Sequence, residues 1–288
     1  MAAKKNAGKG KEVAKRQAGD IVVFDYADYD GQGFENQTAD DLATPFLGIL
    51  QALSPQVEDV DQGGIEGAKA GMIFNTVTDE LHEGKTGVLF VPAMTQHVFV
   101  EWVPRDAGGG FVAVHEPTSE LVAQAKAEAD DFGKYRIGEN DLVETFYVYG
   151  VACGESPDDP TELAVLAFTS TKIKVYKRWN TKLSMFMVKT DDGRKIKPPM
   201  FAHLTRMTSV ADKNNKGKFF NVSLQPANTT VRDSLLSPND PRFEAAVACK
   251  DMVDKGVARA SFETQQSAST GGGAEGGAAS TSGKKPPF

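Results

Sequence analysis

Residues able to do chemistry concentrate in one stretch, Ser170 to Lys218. It holds thirteen Lys and Arg against three Asp, a net charge of +10 inside a chain of net charge −7. The cations with candidate roles are Lys172, Lys174, Lys177, Arg178, Lys182, Arg206, Lys213, Lys216 and Lys218. Tyr176, Trp179, Phe186, Phe201, Phe219 and Phe220 are threaded among them. Ammonium and guanidinium groups satisfy phosphate oxygens, and exposed rings stack on unpaired bases whatever their sequence. The pattern predicts a nucleic-acid surface, single-stranded where the rings are exposed. Its plain alternative is a packed core rimmed by solvated lysines.

The rest of the chain repels phosphate. Residues 18–169 carry a net charge of −22, the first 17 carry +5, and residues 219–288 are balanced. An acidic body with one basic sector attracts a polyanion along a confined track. Cys153 and Cys249 are far apart and match no metal spacing, and the four histidines are scattered. No metal or cofactor is therefore expected, and two distant cysteines suit a reducing, cytoplasmic setting. No apolar run approaches the roughly 20 residues that span a bilayer, so no membrane partner is expected. Glu101, Asp106 and Glu116 lie near a turn where carboxylates can hold a divalent cation for nuclease chemistry. Ordinary surface carboxylates are the favoured reading there, and no enzyme is expected.

Positioning the basic stretch falls to an α+β, sheet-rich single domain over residues 20–263. A basic arm at 1–19 and a Gly/Ser/Ala linker at 264–288, both expected to be disordered, flank it. Apolar spacing at Leu42, Phe46, Ile49, Leu50 and Leu53 predicts a helix ending at Ser54-Pro55. Alternation predicts strands at 72–76, 88–92, 98–103, 111–115, 144–152 and 163–169, with a short helix at 119–129. A helix over 171–188 places Tyr176, Trp179, Leu183 and Phe186 toward the core and Lys174, Arg178 and Lys182 on another face. Trp179 is thus a core residue first, with stacking as its lesser role. Residues 201–210 and 218–225 form a hairpin around the turn at 212–217. Phe220 is expected inside and Phe219 on the polar face, as a stacking ring. Asp240-Pro241 starts a last helix, ending near Gly256.

Residues Thr171–Leu183 and Met200–Gln225, with the Asn-Asn-Lys-Gly turn, resemble bacteriophage single-stranded DNA-binding proteins associated with replication. The end of the chain is similar in layout to bacterial single-stranded DNA-binding proteins: a folded domain, a glycine-rich linker and a Pro-Phe tip. Those tips are acidic, whereas Lys284 and Lys285 precede Pro286 here. The resemblance implies an oligonucleotide-binding (OB) barrel and sequence-independent binding of single-stranded DNA in replication and recombination. It also implies a host-cytoplasmic location, and leaves room for a homo-oligomer. Pro287 and Phe288 would dock replication or recombination proteins. The competing expectation is a virion-associated structural protein with no nucleic-acid specificity.

Overall fold

Short β-branched and aromatic runs fold into twelve strands and three α-helices among the described residues. The computed structural model describes residues 32–33 and 41–260, except 132, 215 and 216. Two compact units divide the chain, residues 1–37 and 38–288. Of the first, only the turn at Gln32–Gly33 is described, so the basic arm and the C-terminal linker lie outside the described residues. The strands are β1 (Leu47–Ile49), β2 (Ile73–Asn75), β3 (Leu81–His82), β4 (Val88–Trp102), β5 (Phe111–His115), β6 (Tyr135–Ile137), β7 (Asn140–Cys153), β8 (Thr161–Thr169), β9 (Val188–Lys189), β10 (Lys195–Ile196), β11 (Thr205–Asn214) and β12 (Gly217–Pro226). The helices are α1 (Glu120–Ala127), α2 (Lys172–Met185) and α3 (Pro241–Asp254). None of them is long and apolar enough to cross a membrane.

The fold is sheet-rich α+β. Its main sheet runs β12-β11-β4-β7-β8, every neighbour antiparallel. At the far ends of β4 and β7, β5 and β6 widen the sheet. Residues 88–92 and 98–103, which alternation predicts as two strands, belong to one strand of 15 residues. Pro92 has no N–H for the ladder, and a bulge between Pro92 and Met94 absorbs the extra residue so that pairing with β7 continues. Gly150 lies opposite Pro92, and a Cβ there would sit 2.2 Å from the Val91 carbonyl oxygen, which requires glycine.

The predicted helix at 41–53 is corrected to an extended segment. Phe46 forms a parallel bridge with Val165 of β8, and Leu47–Ile49 pair with β2. The apolar residues here are buried on both sides: Phe46 joins one core, Leu47 and Ile49 the other. A doubly buried short strand mimics one face of a helix in sequence. The ends of that supposed face, Leu42 and Leu53, are exposed.

This segment also links the sheet's two outer strands. The Val165 amide donates to the Pro45 carbonyl at 2.9 Å. Six residues on, buried Gln51 replaces a strand partner for β12. Its Nε2 donates to the Phe220 carbonyl at 2.9 Å, and its Oε1 accepts from the Phe220 amide at 2.8 Å.

Alternation gives the sheet two apolar faces. Phe90, Phe146, Val148, Leu166, Phe168, Met207 and Leu224 line one, closed by Tyr176, Trp179 and Leu183 of α2. Leu89, Val91, Tyr147, Tyr149 and Val151 line the other, covered by Ala246 and Cys249 of α3. A smaller cluster joins Phe99 and Leu142 to Val122 and Ala125 of α1. Burial pushes the Cys153 thiol up to about 12 and that of Cys249 up to about 11. Because the thiolate is the nucleophile, both cysteines are expected to resist iodoacetamide at about pH 8 and to react fully once urea unfolds the chain. Mass spectrometry reads this directly; rapid labelling of the folded protein would contradict the burial described here.

Candidate nucleic-acid interface

Helix α2 divides as its spacing predicts. Tyr176, Trp179 and Leu183 are buried, whereas Lys174, Lys177, Arg178 and Lys182 are exposed. Trp179, at 4% exposure, offers no face to a base, which corrects its stacking role to a packing one. Phe186 lies one residue past the helix, half-buried, with its ring edge-on to His203. Lys172 is half-buried beside a small apolar gap lined by Leu47, Ile49, Leu166, Phe168, Met207 and Val222, and burial pushes its pKa down.

No cation of α2 has a carboxylate partner among the described residues, and Lys177 alone has a ring contact, 5.3 Å above Phe146. The helix start is also unusual. Ser119 caps α1 by accepting from the Val122 amide. Asp240 caps α3, accepting from both the amide and the guanidinium of Arg242. In α2, Thr171 makes no capping bond and the first turn has no acid; Lys172 and Lys174 stand there instead. Cations at a helix N-terminus oppose its macrodipole. Ser170, just before it, holds a positive φ of 49°. Several local rules are thus broken together at one spot.

Two hairpins of the basic stretch carry facing lysines. In β9–β10, Lys189 lies directly opposite Lys195; in β11–β12, Lys213 lies opposite Lys218. Like charges facing across a ladder destabilise it. Nearby acids do not relieve this at the second hairpin. Asp212 is occupied by Asn221 Nδ2 at 2.9 Å and the Lys213 amide at 2.8 Å, which hold its carboxyl below the usual range. Phe220 packs on the core over Gly71, and Phe219, its neighbour in β12 and so on the opposite face, is likewise half-buried. Lys216, Pro287 and Phe288 lie outside the described residues.

Arg206 does not join the unpaired set. Its Nη2 pairs with Glu155 at 2.9 Å and its Nη1 donates to the Thr86 carbonyl, so its charge is already balanced. Lys189 and Lys195 escape a reading of the sequence because their strands are two residues long. The Asp191-Asp192-Gly193 turn, with Gly193 at a φ of 84°, is the signal that could find them.

His203 lies behind this surface, 2% exposed, with Nδ1 lacking a hydrogen-bond partner. Burial pushes its pKa down to about 4. The unfolded imidazole takes a proton near pH 6.5 and the folded one does not. Below pH 6.5 the unfolded state therefore binds more protons, and stability falls as pH drops toward 4, by about 3 kcal/mol. Urea unfolding at several pH values should show this slope in the wild type and lose it in His203→Leu; parallel profiles would refute it.

Of the carboxylates considered for metal chemistry, Asp106 and Glu116 are exposed on the surface and Glu101 is otherwise engaged. Glu101 is buried, with Oε2 2.7 Å from His115 Nε2 and Oε1 accepting from Asn140 Nδ2. The three residues tie β5 and β7 to β4. Among the described residues no group of three His, Cys, Asp or Glu is placed to hold a metal ion.

A model of the Pam3 phage gp34-like proteins matches residues 14–259. The chain belongs to that phage family. The match contains every strand and helix of the fold, so α2 and both lysine hairpins are part of the Pam3 gp34-like unit. No curated protein and no solved structure matched the chain.

Proposed function

We propose that this phage protein binds single-stranded DNA without sequence preference, through the cations of α2 continued by the β9–β10 and β11–β12 hairpins. The carrying observation is the unpaired charge. Among the described residues Lys174, Arg178 and Lys182 have no acidic partner, on a helix whose Thr171 makes no side-chain capping bond. Lysine faces lysine in both hairpins. Each feature costs stability in the free protein, and a phosphate backbone relieves all of them. Phe219, partly exposed beside Lys218, supplies a ring suited to unpaired bases.

The topology supports the same reading. A three-strand meander (β4, β7, β8), a helix, and a hairpin whose first strand returns to β4 follow the strand order of an OB barrel. The Pro45–Gln51 segment bridges the place where such a barrel would close. Here α3 covers the outer face of β4, β7 and β8, which shifts the expected DNA path toward α2 and the hairpins. Replication and recombination expose such strands in phage DNA.

Retention on single-stranded DNA resin at physiological salt tests the reading. The protein should stay bound and elute as salt rises. Passage through the resin with co-sedimentation on phage particles would favour a virion structural role instead.

A further inference from the structure

Between α1 and α2 the main sheet is left partly uncovered. On this face α1 packs on Phe99 and α2 on Phe146. The residue between them, His97, keeps 35% of its side chain exposed. Its imidazole lies flat on Phe146, with ring centroids 4.1 Å apart and planes 9° apart, and Nε2 meets Glu144 at 3.1 Å. Phe146 is its direct partner across the ladder, on the β7 side. The second imidazole face therefore looks away from β7, with Phe99, two residues along β4, tilted against the ring at a centroid distance of 5.6 Å. On that side β4 pairs with β11 only at Val88–Phe90 and with β5 only from Phe99 onward, so among the described residues the edge at His97 carries no strand.

Cations flank the notch. Lys177 of α2 sits 5.3 Å above the Phe146 ring, and Lys126 of α1 sits 4.4 Å above Phe99. Both are exposed and neither has a carboxylate partner among the described residues. A half-exposed flat ring, held rigid by a second ring and bracketed by unpaired ammonium groups, matches the chemistry of one unpaired nucleotide: a π-face for the base and charge for the phosphates on either side.

We propose that His97 is a base-stacking residue, and that a nucleobase of bound single-stranded DNA lies on its free face while Lys126 and Lys177 take the adjoining phosphates. This rests on the single-stranded DNA reading and extends its surface around the N-terminal end of α2 toward α1. Sequence alone hides the site, because Lys126 stands in an acidic region and His97 reads as an isolated histidine.

The test uses the full chain with an oligodeoxythymidine carrying one 2-aminopurine. Anisotropy reports binding, and 2-aminopurine fluorescence reports stacking. His97→Ala should weaken binding about tenfold, the size of one base–aromatic stack. His97→Phe should restore both signals, and Lys126→Ala should lower affinity and flatten its salt dependence. If His97→Ala binds like the wild type, or His97→Phe no better than His97→Ala, the stacking role is overturned. The DNA-binding reading still stands if Lys174, Arg178 and Lys182 variants lose affinity. A wild type that changes neither signal overturns both.

Discussion

Replacing Lys174, Arg178 and Lys182 together by alanine should weaken single-stranded DNA binding about a hundredfold at about 0.1 M salt. The three side chains stand four residues apart on the exposed face of α2, without acidic partners among the described residues. Each phosphate neutralised on a single strand contributes about 0.7 to the slope of log affinity against log salt. Leaving three phosphates without a cation should lower that slope by about two, which sets the affinity change at about 0.1 M. The same variant should melt no lower than the wild type, because cations at i and i+4 repel one another in the free helix. Weaker binding with unchanged melting separates binding from folding. Unchanged affinity would remove α2 from the interface.

The second large effect concerns the bridge between the sheet's outer strands. Gln51→Ala should destabilise the fold by about 3 kcal/mol, read as a lower urea midpoint with little change in its slope. The side-chain amide stands in for a β-strand at Phe220, giving one bond to its carbonyl and one to its amide. Truncation strands both backbone groups in a part-buried position and opens space beside the core. Gln51→Glu keeps the acceptor but not the donor and should fall between the two. A Gln51→Ala midpoint equal to that of the wild type would mean the bridge contributes nothing.

Much of this arrangement is legible in the amino-acid sequence, for a physical reason. Where one face of an element is wet and the other dry, periodicity reports it. The split of α2 into Trp179 and Leu183 against Lys174, Arg178 and Lys182 is such a case. Features governed by tertiary context do not read this way. Phe46–Ile49 is dry on both sides, so its spacing imitates a helix until Val165 and Ile73 are seen beside it. Pro92 looks like a strand end, and only the bulge against Gly150 shows that β4 runs through it. Arg206 looks as free as Lys174, yet Glu155, 51 residues away in sequence, neutralises it. The notch at His97 exists only because β11 and β5 stop short of one another on β4.

On the proposed function, the unpaired cations of α2 and the two hairpins hold the backbone of an unpaired DNA strand. Fluorescence anisotropy with one labelled oligonucleotide, first single-stranded and then annealed to its complement, across a salt series tests it most directly. Tighter binding to the single strand is expected, with log affinity falling linearly against log salt and a slope corresponding to at least the three α2 cations. Equal, weak binding to both forms, or no binding at physiological salt, would contradict it.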